Sequence, residues 1–228
     1  MRVGRAGRIA AGLAGVIVLV LVLAQLFLPA IAASRIRSRV ERYGTVKGVT
    51  VKAWPAVKLL WGNAESVDVK AGSVAIDAAQ MAKLLGEAHG VQSIRASAES
   101  VETGTLQMRD ASLQKHGDAL SGSAWASQAA VKQALGAGLE VQLLHSDAGR
   151  VQMSVGGGLF GVKASVQAVA EAQDGNVVVR PLGFLLEGLK LTLFAEPNVY
   201  VEGVGASAVA GPSGAGAGYR LSFQASLR

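Results

Sequence analysis

The chain contains no cysteine, which excludes disulfides, thiolate zinc sites and cysteine nucleophiles. The absence leaves the compartment open, because an exported domain large enough to build a core needs no staples. Aromatic residues are scarce at 5%. Gly, Ala, Ser and Val dominate instead, a composition suited to many strands with small side chains rather than to a dense enzyme core. Excess charge is also missing from residues 43–228, where fifteen Lys and Arg face fifteen Asp and Glu. The net charge of +6 therefore resides in residues 1–42, where seven Arg oppose Glu41 alone. A basic chain suggests nucleic acid until its charges are located. These flank an apolar run and imply no nucleic-acid partner.

That run, Ile9 to Ile31, holds no charged residue and lies between Arg2, Arg5, Arg8 and Arg35, Arg37, Arg39. A bilayer core of ~30 Å is crossed by ~20 apolar helical residues, so residues 1–33 read as a signal-anchor or transmembrane segment. The basic start, and Ala30-Ile31-Ala32 after Pro29, also resemble a secretory signal cleaved near Ala32. The run is longer than the roughly 7–15 residues that a cleaved signal needs. A retained anchor is favoured, with secretion after cleavage as the alternative. Either way the expected location of the domain is extracytoplasmic. A surface helix would need a polar face, which is lacking. Beyond the run, Ile36, Val40 and Tyr43 fall at i, i+4 and i+7, so residues 34–44 read as a basic juxtamembrane helix stopped by Gly44. Arg35, Arg37, Arg39 and Arg42 on its other faces can meet anionic headgroups.

From Thr45 the period becomes alternating, and residues 45–228 read as one domain. Val46, Val49 and Val51 start a strand, Val67 and Val69 a second, Val74 and Ile76 a third. Trp54 to Gly62 reads as a short apolar helix with Pro55 near its start and Gly at its stop. Asp77 caps a helix to Gly86 with Met81, Leu84 and Leu85 on one face, and Ser127 caps another from Gln128 to Leu135. Val91 to Ala126 is strand-rich, with Ile94, Ala96 and Ala98 alternating against Arg95 and Glu99. Further strands are expected at 139–144, 151–155, 162–170, 177–179, 189–194, 199–204 and 219–227. Residues 206–218 read as a flexible Gly/Ala/Ser loop. The fold class is α+β: an N-terminal helix, then a mostly antiparallel, strand-rich domain with a few short apolar helices. Helices on one face of a sheet need an apolar layer beneath them. Where large side chains do not fill that layer, it can hold a lipid.

Val49 to Val69 carries a resemblance. The strand Val49-Thr50-Val51, the apolar turn Trp54-Pro55-Ala56-Val57-Lys58-Leu59-Leu60-Trp61-Gly62 and the strand Val67-Asp68-Val69 resemble the signature of the LmeA-type phospholipid-binding family of high-GC Gram-positive bacteria, formerly a domain of unknown function. The strands around Gly149-Arg150-Val151 and from Gly161 to Ala170 fit the family's order, although Trp54 stands where the family often has Phe. The resemblance implies an exported or anchored envelope protein that binds phospholipid without catalysis, on an elongated fold similar to tubular lipid-binding domains. Family members are linked to glycolipid or lipoglycan maturation.

Two readings of the Trp54–Trp61 segment stay open: a core plug beneath the sheet, or a hydrophobic lip touching acyl chains or the bilayer. The candidate lipid-contacting residues are Trp54, Pro55, Val57, Leu59, Leu60, Trp61, Met81, Leu84, Leu85, Val131 and Leu135, with Lys52, Lys58 and Arg95 as candidate headgroup contacts. The competing functional reading is a structural or partner-binding envelope protein with a solid β core. Catalytic signals are weak. Gly156 to Gly161 satisfies GxGxxG, but a dinucleotide site needs a helix after it, whereas Val162 to Ala170 alternates like a strand, so a hairpin turn is expected. His89, His116 and His145 lack metal-ligand spacing and read as exposed loop residues. His145-Ser146-Asp147 reads as a turn, since triad members converge from separate elements. The carboxylates at 65, 68, 77 and 102 have no glycosidase spacing. No enzyme, metal or cofactor is expected.

Overall fold

Alternation from Gly44 onward folds as strand in the computed structural model, which describes residues 5–135, 139–147, 149–159, 162–183, 190–212 and 216–228. The first half supplies β1 (Gly44–Lys52), β2 (Ala64–Ala75), β3 (Val91–Thr103), β4 (Leu106–His116) and β5 (Ala119–Ser127). The second half supplies β6 (Leu139–Asp147), β7 (Arg150–Leu159), β8 (Val162–Gln173), β9 (Asn176–Leu182), β10 (Leu191–Phe194), β11 (Val199–Ala210) and β12 (Ala217–Leu227). One sheet has the order β1-β2-β3-β4-β5-β12-β11, the other β10-β9-β8-β7-β6. The strand-rich, mostly antiparallel reading holds, with one parallel pair, β2 and β3, joined by the crossover helix α2 (Ala78–Glu87). The C-terminal hairpin pairs with β5, so the five-stranded sheet is an insertion between neighbours of the seven-stranded one.

Local chemistry explains the helix ends. Asp77 and Gln80 form the capping box of α2: the Gln80 amide donates to Asp77 Oδ1 at 2.7 Å and the Asp77 amide to Gln80 Oε1 at 3.1 Å, satisfying two otherwise orphaned donors. The helix α3 (Gln128–Leu135) starts where the Ala130 amide donates to Ser127 Oγ at 3.0 Å. Residues Ala56–Trp61 form a 3-10 helix rather than an α-helix. It stops at Gly62, whose φ of 76° is open to glycine without the Cβ penalty.

The N-terminal helix α1 runs unbroken over Arg5–Val40, with Pro29 inside it. Among the described residues no helix is long and apolar enough to cross a membrane. Much of the run at 9–31 falls on residues 1–19 and 21, whose side chains lie outside the described residues. The C-terminal part of α1 docks on the domain: Ala32, Ala33 and Ile36 pack against buried Val51, Ala64, Val67 and Val91. A second cluster joins Ala82 and Leu85 of α2 to Leu120, Val199, Val201 and Leu227, with Val177 and Phe194 of the five-stranded sheet against it.

Several expectations are corrected. The strand pieces at Val67 and Val74 are one strand, β2, because Ala71 and Val74 both stay paired with β3, to Ala98 and Val101, and with β1, to Val46 and Gly44, across a bulge in the β1 pairing. Residues 206–210 and 217–218 are paired strand rather than loop, since Ala206↔Leu221 through Ala210↔Ala217 continue the hairpin ladder; residues 213–215 lie outside the described residues. His145, Ser146 and Asp147 belong to β6, not to a turn, and Ser146 Oγ accepts the Ala206 amide at 3.0 Å to join the sheets. Likewise His116 ends β4, while His89 lies in a turn and is exposed as expected. Gly156–Leu159 extends β7 and Leu159 pairs with Val162, as a hairpin requires; Phe160 and Gly161 lie outside the described residues.

Trp125 is the largest fully buried side chain among the described residues. Trp125→Ala is expected to cost about 3–5 kcal/mol, the usual range for removing a buried aromatic, read from urea unfolding followed by circular dichroism.

Candidate functional site

Cross-strand register determines where space opens. Ala71 of β2 pairs with Ala98 of β3, and Ala98 pairs with Ala111 of β4, so three methyl side chains lie in one row across the sheet. The rows on either side are larger: Val69, Ala96 and Leu113 on one, Val74, Val101 and Met108 on the other. The result is an apolar groove of about 630 Å³. Its floor extends to Ala124, Leu221 and Phe223, and its cover comes from Ala32, Ile36 and Val40 of α1, Leu59 of the 3-10 helix and Met81 and Leu84 of α2.

Among the described residues, charge enters only at the lid. Arg35 and Arg39 of α1 and Glu87 of α2 border the groove, and Arg39 Nη1 meets Glu87 Oε2 at 2.5 Å. Both partners are about half exposed, so the pair contributes little to stability, but it joins the two covering helices across the opening. Arg35 has no ion pair among the described residues. Serines 97, 112, 123 and 222 add a few hydroxyl-bearing positions. Three of them, with Phe223, also border a polar cleft of about 420 Å³ where Gln114, Ser121 and Gln224 face Ser146 of the second sheet.

The residues singled out in sequence are dispersed. Leu59, Met81 and Leu84 line the groove, and so do Arg35 and Arg39, which had been read as membrane-flanking. Leu85 lies beneath α2 in the core. Trp54, Leu60 and Trp61 are exposed at 67%, 65% and 71%, which favours a lip over a core plug. Pro55 is exposed beside them and Val57 half-buried. Val131 is on α3 outside the groove lining, and the Leu135 side chain lies outside the described residues. Lys52, Lys58 and Arg95 are exposed and border no part of the groove. Arg37 pairs with Glu41 at 2.8 Å and Arg42 is exposed. Sequence reasoning missed the groove floor. Its signal was the alternation Ile94, Ala96, Ala98, which shows a buried face but not which alanines come into register.

No cluster of metal-ligating side chains occurs among the described residues. One buried cation stands out: Lys115, 2% exposed, whose Nζ donates to the Val91 carbonyl at 2.5 Å.

The whole chain can now be compared with known proteins. The LmeA-like phospholipid-binding family matches residues 20–217. The chain belongs to that family. The match begins inside α1, so the covering part of that helix falls within the family's extent along with β1 to β11, while β12 extends beyond it. Comparison with curated proteins and with solved structures finds no match.

Burial lowers the Lys115 pKa from the ordinary lysine value, with Asp118 opposing the shift. A lysine with a depressed folded pKa weakens the fold while it must stay charged, and stability rises as pH climbs from the folded toward the unfolded value. Lys115→Met is expected to remove that rise, so the difference in urea midpoints between variant and parent moves in the parent's favour as pH climbs toward the ordinary lysine pKa.

Proposed function

We propose that this protein is a non-catalytic phospholipid-binding protein of the cell envelope, tethered by α1 with its domain on the extracytoplasmic side, that holds acyl chains in the groove. The groove over the Ala71–Ala98–Ala111 row carries this reading. Its volume of about 630 Å³ lies within the roughly 300–1,000 Å³ of ligand cavities. An apolar surface lining an open groove is wetted when empty, so an acyl chain that covers it gains the free energy of removing that surface from water. A structural protein with a solid core has no use for such a space.

Arg35 and Arg39 give the phosphate a place at the lid, where a guanidinium can bind it bidentately. Family membership supports phospholipid as the ligand. The tubular lipid-binding reading rests on the same groove. Transfer between membranes follows if the Arg39–Glu87 pair opens and closes the lid.

Gln25 favours a retained anchor over a cleaved signal. Its Nε2 donates to the Ala53 carbonyl at 3.2 Å and its Oε1 accepts the Ala56 amide at 2.7 Å. Cleavage near Ala32 would discard both bonds.

The test is a photoactivatable phospholipid with its reactive group on the acyl chain, reconstituted with the full chain. Labelling is expected on groove-floor peptides bearing Val101, Met108 and Leu221, and Ala98→Phe with Ala111→Phe should reduce it about tenfold, equivalent to ~1.4 kcal/mol, with circular dichroism unchanged. Labelling confined to α1 would count against the groove.

A further inference from the structure

We propose that Trp54, Leu60 and Trp61 form a wedge immersed in the interface of an anionic bilayer, which holds the neighbouring end of the groove open to the membrane. This rests on the tether proposed above and adds where the groove fills. Three large apolar side chains at 67%, 65% and 71% exposure form a patch of the kind that marks an interaction surface. They stand on a rigid support. Lys58 N donates to Pro55 O, Gly62 N to Leu59 O and Asn63 N to Lys58 O, each at 3.1 Å, so these side chains are held outward by a hydrogen-bonded turn. The same turn contributes Leu59 and Gly62 to the groove lining, so wedge and groove share a wall.

The occupant follows from α1. Gln25 binds the backbone on both sides of Trp54, at Ala53 and Ala56, and so ties the turn to one level of the helix. A core of ~30 Å takes about 20 helical residues, so an apolar run that starts at Ile9 reaches the far interface near Leu28. Gln25 then lies three residues inside it, about 4.5 Å at 1.5 Å per residue. The turn bonded to Gln25 must go down with it. That depth suits indole rings, which favour the headgroup level. Leu26 and Phe27, exposed at 66% and 61%, continue the apolar surface on the helix itself. Exposed Lys52 and Lys58 beside the wedge, and Arg35 and Arg42 farther along α1, supply cations for anionic headgroups.

The three tryptophans allow a direct test, because Trp125 is 2% exposed while the other two protrude. Trp125→Phe removes a buried N–H that has no partner and leaves only the wedge to fluoresce; Trp54→Phe with Trp61→Phe leaves only the core. The full chain is reconstituted into phosphatidylglycerol/phosphatidylcholine vesicles with bromines at shallow or deep acyl positions. The wedge reporter should be quenched about twofold by shallow bromines and less by deep ones, as expected at headgroup level, while the core reporter stays unquenched. Equal emission of the wedge reporter with and without bromine would overturn the wedge, and flotation of the same vesicles shows whether the tether fails with it. Quenching as strong in pure phosphatidylcholine would overturn the anionic preference. The Ala98→Phe, Ala111→Phe variant should keep its quenching, which separates a failed groove from a failed wedge.

Discussion

Three alanines in register leave the middle of the seven-stranded sheet lower than its flanks. Parts of α1 and α2 border that region, and their side chains do not fill the space beneath. Interiors are normally packed to crystal-like density, so an unfilled apolar layer of this size departs from what a structural core would tolerate. Much else follows from that gap: the need for a lid, the use of α1 as part of it, and the suitability of an acyl chain as the missing filling.

The described part of the apolar run of α1 is partly docked and partly exposed. Its C-terminal part packs on the domain through Ala32, Ala33 and Ile36, the two alanines being small enough to let the helix approach the sheet, while Leu26 and Phe27 before it are exposed. Gln25 has both ends of its amide occupied by the domain backbone. A polar side chain within an apolar run is costly unless paired, and here the pairing orients the domain on its helix. The Arg39–Glu87 bridge joins α1 to α2 beside the groove through a half-exposed ion pair that contributes little to stability.

The five-stranded sheet contributes no residue to the groove lining. It is inserted between β5 and β11 and joined to the first sheet by the Ser146 hydroxyl, by the Val204 amide donating to Gly149 O at 3.1 Å, and by Tyr219 Oη donating to Val141 O at 2.9 Å. At its centre Glu171, 5% exposed, is held between Arg150 and Arg180, so its buried carboxylate is compensated on two sides. Its contribution to the groove is indirect, through the contacts of Val177 and Phe194 with the cluster beneath α2.

Local chemistry was legible in the residues: the capping sites at Asp77 and Ser127, the stop at Gly62, the alternation of β3 and β12, and the family resemblance of residues 49–69. These depend on interactions within a few positions. The loop expected at 206–218 failed because small residues that look flexible alone become ordered when a partner strand supplies the ladder. The expected headgroup cations failed to border the groove for a related reason, since alternation tells that Lys52 and Arg95 share strands with apolar residues but not which face the lid covers. By itself the sequence determined the apolar run, the balance of charge behind it and the strand-rich character of the domain, all properties of composition and short-range period. Only the tertiary structure decided that Ala71, Ala98 and Ala111 meet in one row and that Arg35 and Arg39 stand over it, because register between strands far apart in the chain depends on the whole sheet.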